Sequence, residues 1–294
     1  MTVLTVGEIL WDVFPGAEFL GGAVFNCSAH LAQLGHEVIF LSAVGDDERG
    51  YRALREMRRL GLSADWTRTV FEAPTGCVTV SVDSTGQPTF IIHRPAAYDF
   101  VRLEDTTLAG LAARRPQWLV FGTLFQIYPH CREVTLRLAR ACPQAKPFYD
   151  VNLRKDCYRP DLVAELLKSA QVVKLNDSEV VELGAMLGLP AATPVVFCRE
   201  NARQFGWEAV CVTQGESGCT AWIRGELAEE PGYRVPVADT VGAGDAFAAA
   251  FLHGLDAGWS APEVARFANR VGALIASRPG GTPRWTLSDL DEIR

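Results

Sequence analysis

Asp239-Thr240-Val241-Gly242-Ala243-Gly244-Asp245-Ala246-Phe247 places a glycine-rich turn directly before an apolar, small-residue run, Ala248-Ala249-Ala250-Phe251-Leu252. Glycines let the backbone turn tightly and come close to a ligand. The run predicts a helix starting here, with unpaired N–H groups and a positive dipole end facing the turn, which suits an anion. Asp245 does not suit a plain anion site, because a carboxylate repels the guest. It makes sense as a base: beside N–H donors that hold a phosphoryl group in transit, it would take the proton of an attacking hydroxyl. On the residues alone, Asp245 also reads as an ordinary helix cap.

The chain has 294 residues, 48% of them hydrophobic, enough for a large α/β core. A net charge of −7 argues against nucleic acid or an anionic membrane as partner. No apolar run approaches the ~20 residues of a membrane helix. The start, Met1-Thr2-Val3-Leu4-Thr5-Val6-Gly7-Glu8, lacks a basic leader region and reads as a first core strand. Eight scattered cysteines without a C-x-x-C pair argue against zinc or a disulfide framework and for a reducing, cytoplasmic setting.

Short apolar runs at 3–6, 38–41, 118–121, 148–151, 172–175 and 209–213 alternate with amphipathic stretches at 25–34, 48–60, 133–141 and 162–169. This alternation predicts βαβ units around a mostly parallel sheet, with ligands at the carboxyl ends of its strands. Asp150 with Asn152, Lys174 with Asn176, and Thr213 with Gly215 fall at such ends. One region breaks the rhythm: two β-rich runs, 76–82 and 88–93, flank Asp83-Ser84-Thr85-Gly86-Gln87, a hairpin-like connection. Such a hairpin fits poorly in a doubly wound core and is expected to project, with residues 11–20, as a small β layer. Its open edge calls for cover, for which a second subunit is the usual remedy. Arg52, Arg55, Arg58 and Arg59, at helical spacing, read as a solvated helix face.

The nine-residue stretch resembles the C-terminal signature D-T-x-G-A-G-D-x-F of the ribokinase-like (PfkB) family of sugar kinases, most of all its bacterial fructokinases. The resemblance implies a single three-layer αβα kinase domain over residues 1–294, with a mostly parallel central sheet and a β lid from about 11–20 and 74–99. It implies transfer of the γ-phosphate of ATP to a sugar hydroxyl with Mg²⁺, Asp245 as base, and the Gly242-Ala243-Gly244 turn as anion hole through the amides of Ala243, Gly244 and Asp245. Other readings are a 2-keto-3-deoxygluconate kinase or ribokinase, and a non-catalytic sugar or nucleotide sensor. A nucleoside kinase lacks a clear aromatic platform here, Tyr98 being the one candidate. An oxidoreductase lacks G-x-G-x-x-G after the first strand.

Gly21-Gly22-Ala23-Val24-Phe25-Asn26, with Asp12 taken as the end of the first strand, resembles the family's sugar-binding signature. Gly21 and Gly22 offer backbone access, Asn26 a donor and an acceptor, and Asp12 a carboxylate for two hydroxyls. Many fructokinases have Pro where this chain has Val24. Asp150-Val151-Asn152-Leu153-Arg154 resembles the D-x-N-x-R stretch of fructokinase and ketodeoxygluconate kinase relatives. The Arg154 fork suits a transferred phosphate or a sugar-acid carboxylate. Arg94, ending the hairpin, is a further substrate candidate, or a plain surface arginine.

No P-loop and no protein-kinase signature set is present, so the phosphate donor must be held differently. Asn176 and Glu179 form an N-x-x-E pair that reads as a helix capping box. In the family this pair organises magnesium and phosphate, often through water. Lys174 would add positive charge to the phosphates. Thr213, Gly215 and Gly218 resemble the turn beneath the nucleotide, and Asn269 the position beside the adenine. Asp239 and Gly280 mark where family members bind potassium through backbone carbonyls.

Overall fold

The computed structural model describes residues 1–82 and 88–293, so the connection 83–87 lies outside the described residues. In chain order the elements are β1 (Thr2–Val6), β2 (Leu10–Phe14), β3 (Ala17–Gly21), α1 (Ala23–Gln33), β4 (Glu37–Gly45), α2 (Glu48–Arg59), β5 (Thr67–Val70), β6 (Gly76–Val82) and β7 (Pro88–His93). There follow α3 (Asp105–Ala113), β8 (Trp118–Gly122), α4 (Pro129–Ala141), β9 (Lys146–Asp150), α5 (Pro160–Ser169), β10 (Val172–Asn176), α6 (Asp177–Leu187) and α7 (Pro194–Phe205). The chain closes with β11 (Ala209–Thr213), β12 (Cys219–Ile223), β13 (Glu226–Glu230), α8 (Ala243–Asp256) and α9 (Ala261–Ala276).

Nine strands form one sheet in the order β13-β12-β11-β10-β9-β8-β1-β4-β5. All are parallel from β11 to β5, and β12 and β13 add an antiparallel edge. Alternate strand residues face opposite sides, so Val3 joins a core with α1, α2, α8 and α9, while Leu4 and Val6 join a second core with α3 to α7. The result is a three-layer α/β fold. Helix α8 is apolar nearly all round, with Ala246 to Leu252 fully buried, because it lies between α1 and α9 rather than on the surface. Sequential connections reverse direction between β1 and β8, and the strands on either side end at Val6, Gly122, Asp150, Asn176 and Thr213. That line of strand ends is where such sheets form a crevice.

A second sheet, in the order β3-β2-β6-β7, stands apart from the first. Its β2–β6 pair is parallel and its outer pairs antiparallel. Asp12 was expected at the end of the first strand; it lies in the middle of β2, because β1 stops at Val6 and the chain crosses into the second sheet. The arginines of α2 are likewise more than a solvated face. Arg49 and Arg52 both pair with Glu18 on β3, at 2.5 and 2.8 Å, and Arg52 covers the Trp11 ring at 4.3 Å. Phe19, Phe90 and Ile91 of this sheet stay about half exposed.

Candidate active site

Gly242 caps α8 with φ 79°, and a Cβ there would fall 2.3 Å from the carbonyl oxygen of Gly281. Only glycine fits, so two backbone segments meet without side chains between them. Asp239 clamps the turn: its Oδ1 accepts the Val241 N–H at 3.0 Å and its Oδ2 the Gly280 N–H at 3.1 Å. Trp285 Nε1 donates to His30 Nδ1 at 3.1 Å, and His30 Nε2 lies 2.9 Å from the Gly281 carbonyl oxygen. An indole N–H only donates, so Nδ1 is the acceptor and Nε2 carries the proton toward Gly281. Burial holds this imidazole neutral, its pKa pushed down to about 4 against the opposing pull of the Gly281 carbonyl.

Asp245 sits in the first turn of α8, half-buried, beside amides that have no partner within the helix. Its Oδ2 accepts from Asn26 Nδ2 at 2.8 Å. Asn26 is buried and its Oδ1 has no partner. One of the two amide N–H groups of Asn26, the side chain expected to read a polyol, is therefore turned to Asp245. Lys174 Nζ lies 3.1 and 3.2 Å from the carboxylate oxygens of Asp150, both residues buried. A Cβ on Gly244 would stand 3.4 Å from that ammonium, so Lys174 faces the first turn of α8. Burial alone would lower the Lys174 pKa; Asp150, Asp245 and Glu179 outweigh it and keep the group charged. Burial raises Asp245 to about 7, with Asp150 adding to the rise and Lys174, Asn26 and Arg154 opposing it. A carboxylate with a pKa near neutrality is suited to take a hydroxyl proton.

On the side of the second sheet, Asp12 Oδ2 lies 2.7 Å from where a Cβ on Gly21 would be. Burial raises the Asp12 pKa to about 6, opposed by Arg154 and reinforced by Asp239. Arg154 is exposed, and among the described residues its guanidinium makes no hydrogen bond or ion pair, yet its charge acts on Glu8, Asp12, Asp150 and Asp245. Asn152 holds φ 38° between Asp150 and Arg154, a left-handed conformation that Asn tolerates. Arg94 is not a free surface residue. Its guanidinium is taken up by Asp99 and the Leu124 carbonyl, over the rings of Tyr98 and Tyr128. Tyr98 is fully buried and offers no stacking platform.

Glu8 went unremarked in the sequence. It is buried, its Oε1 accepts the Val24 N–H at 3.3 Å at the start of α1, and Gly22 (φ 109°) packs over its carbonyl oxygen. Glu8 thus anchors the helix that carries Asn26. Its partner is 16 residues away, so no local spacing marks it. His30 and Trp285 were missed for the same reason.

Toward the other end of the crevice, Asn176 and Glu179 form the capping box: Asn176 Oδ1 accepts the Glu179 N–H at 2.9 Å, and Glu179 Oε2 the Asn176 N–H at 2.8 Å. Glu179 Oε1 also accepts the Leu153 N–H at 2.7 Å, tying α6 to the Asp150–Arg154 stretch. Among the described residues no cluster of three or more His, Cys, Asp or Glu exists to cage a metal. Thr213 ends β11, Gly215 and Gly218 take positive φ, and a Cβ on Gly218 would collide with the Glu230 carbonyl at 2.0 Å. Asn269, buried, donates to the Glu230 and Pro231 carbonyls at 3.1 and 3.2 Å and pins the same crossing.

A doubly wound sheet, a carboxylate at a glycine-hinged helix start and a lysine beside it are the arrangement expected of a phosphotransferase acting on hydroxyl groups. The pattern of the pfkB family carbohydrate kinases matches residues 13–286, and the chain belongs to that family. It is an ATP-dependent sugar kinase. The chain is 30% identical to a fructokinase of Klebsiella pneumoniae, over 95% of this chain and 94% of that one. It is 27% identical to fructokinase-2 of Zea mays, over 96% and 90%. The ATP-bound fructokinase structure of Xylella fastidiosa superposes with a TM-score of 0.87 at 24% identity, covering 99% and 97%. The 2-dehydro-3-deoxygluconokinase structure of Thermotoga maritima gives 0.86 at 20%, covering 99% and 98%. No helix among the described residues is long and apolar enough to cross a membrane.

Proposed function

We propose that this kinase phosphorylates D-fructose. The observation that carries the mechanism is Asp245, tethered by Asn26 and beside Lys174, with its pKa raised to about 7. The sugar hydroxyl attacks the γ-phosphorus of ATP in line, Asp245 takes its proton, and the bond from the γ-phosphorus to the bridging oxygen breaks to release ADP. The amides of Ala243, Gly244 and Asp245 then stabilise the equatorial oxygens. Asp12 grips sugar hydroxyls at Gly21 and Gly22, and Arg154 steadies the transferred group. Asn176 and Glu179 would hold Mg²⁺ through water, and the ion would offset phosphate charge there; among the described residues no cluster of three or more His, Cys, Asp or Glu would cage it directly. Thr213, Gly215, Gly218 and Asn269 shape the nucleotide's bed, and the backbone of the turn held by Asp239 and Gly280 would hold a monovalent cation such as K⁺, which would add positive charge beside the phosphates.

The β2–β3–β6–β7 sheet acts as a lid on a single kinase domain, and its exposed Phe19, Phe90 and Ile91 support a homodimer joined through the lids. Eight free cysteines, seven of them buried, support a reducing cytoplasmic setting. The fructokinase names among the relatives favour fructose. One observation favours a second reading, 2-keto-3-deoxygluconate: Arg154, unpaired among the described residues, would welcome a sugar carboxylate. Buried Tyr98 weighs against nucleosides. ADP release across fructose, ribose, 2-keto-3-deoxygluconate, tagatose and nucleosides decides. Fructose is expected to give the highest kcat/KM, and a higher value for any other acceptor overturns the assignment.

A further inference from the structure

Behind the catalytic turn lies a cavity of about 310 Å³ lined by Gln33, Arg59, Leu60, Arg284, Trp285, Thr286 and Asp289. Leu60 and Trp285 are buried and give it an apolar floor. Arg284 is exposed at its rim. One of its nitrogens donates to the Arg59 carbonyl at 2.6 Å; among the described residues the rest of its guanidinium has no partner. Arg59 is already paired with Glu56. Asp289 is held by Arg278 at 3.2 Å and by the Thr286 N–H at 2.9 Å. Gln33 Oε1 accepts the Trp285 N–H at 2.9 Å, while its Nε2 is buried without an acceptor.

We propose that this cavity is a regulatory binding site for a small organic carboxylate with an apolar body. The unspent part of the Arg284 fork matches one carboxylate. Asp289 in the same wall disfavours a doubly charged guest, and the apolar floor needs a hydrocarbon to cover it. The volume suits a guest of single-ring size. The guest would rest on Trp285, whose indole N–H holds His30, which in turn holds the Gly281 carbonyl against Gly242. Occupancy therefore bears on the turn that carries the anion hole. Coupling of this kind is reciprocal, so nucleotide binding must change carboxylate affinity by the same factor.

The test uses phenylacetate as probe and calorimetry on the whole protein, with and without a non-hydrolysable ATP analogue, and so does not depend on which sugar is phosphorylated. Saturable binding is expected, weakened about tenfold in Arg284→Ala, a rim substitution that leaves the floor intact. The ATP analogue is expected to shift the affinity about threefold or more. No saturable binding, or equal binding by Arg284→Ala, overturns the site. Binding that ignores the ATP analogue overturns its regulatory role. A binding-competent Arg284→Gln variant with restored affinity would show that charge is not what the site reads, and would overturn the carboxylate assignment.

Discussion

Asn26 Nδ2 reaches Asp245 Oδ2 across 2.8 Å, though 219 residues separate the two in sequence. The Asp245 carboxylate is thus held by a helix from the opposite end of the chain, and the two signature stretches meet at one hydrogen bond.

Replacing Asp245 by Asn should lower kcat by about 10²–10⁴-fold with little change in sugar KM, since the loss falls on proton transfer. Steady-state kinetics with purified variant decide it. Turnover near that of the wild type would remove Asp245 from the role of base.

The raised Asp245 pKa also sets a pH dependence. Its value rises from 3.8 unfolded to about 7 folded, so the folded state binds the proton more tightly. Wild-type stability relative to Asp245→Asn should therefore fall as pH rises from about 4 to about 7 and then level off. Thermal melts of both proteins across that range give the answer; parallel curves would contradict a raised pKa.

Asn26→Ala removes a hydrogen bond that favours the Asp245 carboxylate. The acid limb of kcat/KM should move to higher pH, and activity at neutral pH should drop about tenfold. A drop without any shift of the limb would mean that Asn26 serves the sugar rather than the base.

Asp12→Asn should weaken sugar binding while sparing kcat. Because the Asp12 pKa lies at about 6, wild-type sugar affinity should tighten as pH rises through that value and the variant should lose the trend. Calorimetry with fructose at several pH values measures both effects.

Gly242→Ala should destabilise by more than Gly35→Ala. Both glycines have positive φ, but only the first has backbone in the way, with Gly281 at 2.3 Å against open space around Gly35. Backbone strain alone is about 1 kcal/mol; any excess in the melting difference measures the clash. Equal losses would mean that the Gly242–Gly281 approach relaxes freely.

The alternation of elements and the start of α8 were legible because both are local: apolar periodicity fixes the first, and Gly242-Ala243-Gly244 with its apolar sequel fixes the second. The small sheet was legible too, as a hairpin with no helix to cross back. What stayed hidden depends on distant partners. Asp12 shifts from β1 to β2 because pairing with the distant strands β4 and β8, which stops at Val6, decides where β1 ends. Arg94 donates to the Leu124 carbonyl, 30 residues on, and Glu8 finds the head of α1 only once β3 has returned. Arg52 reads as solvent-facing because its partner, Glu18, lies on another layer, where Arg49 joins it.

That last arrangement ties the small sheet to the main body through charge. Glu18 stands between two arginines of α2 that remain about one third exposed. Mobile ions reach such pairs and screen them over roughly 8 Å at physiological salt. Ionic strength therefore sets how firmly the two are joined. Rising salt would weaken this contact while leaving the buried Lys174–Asp150 pair nearly unchanged; with the small sheet acting as the proposed lid, closure and bond-making would then respond to salt separately.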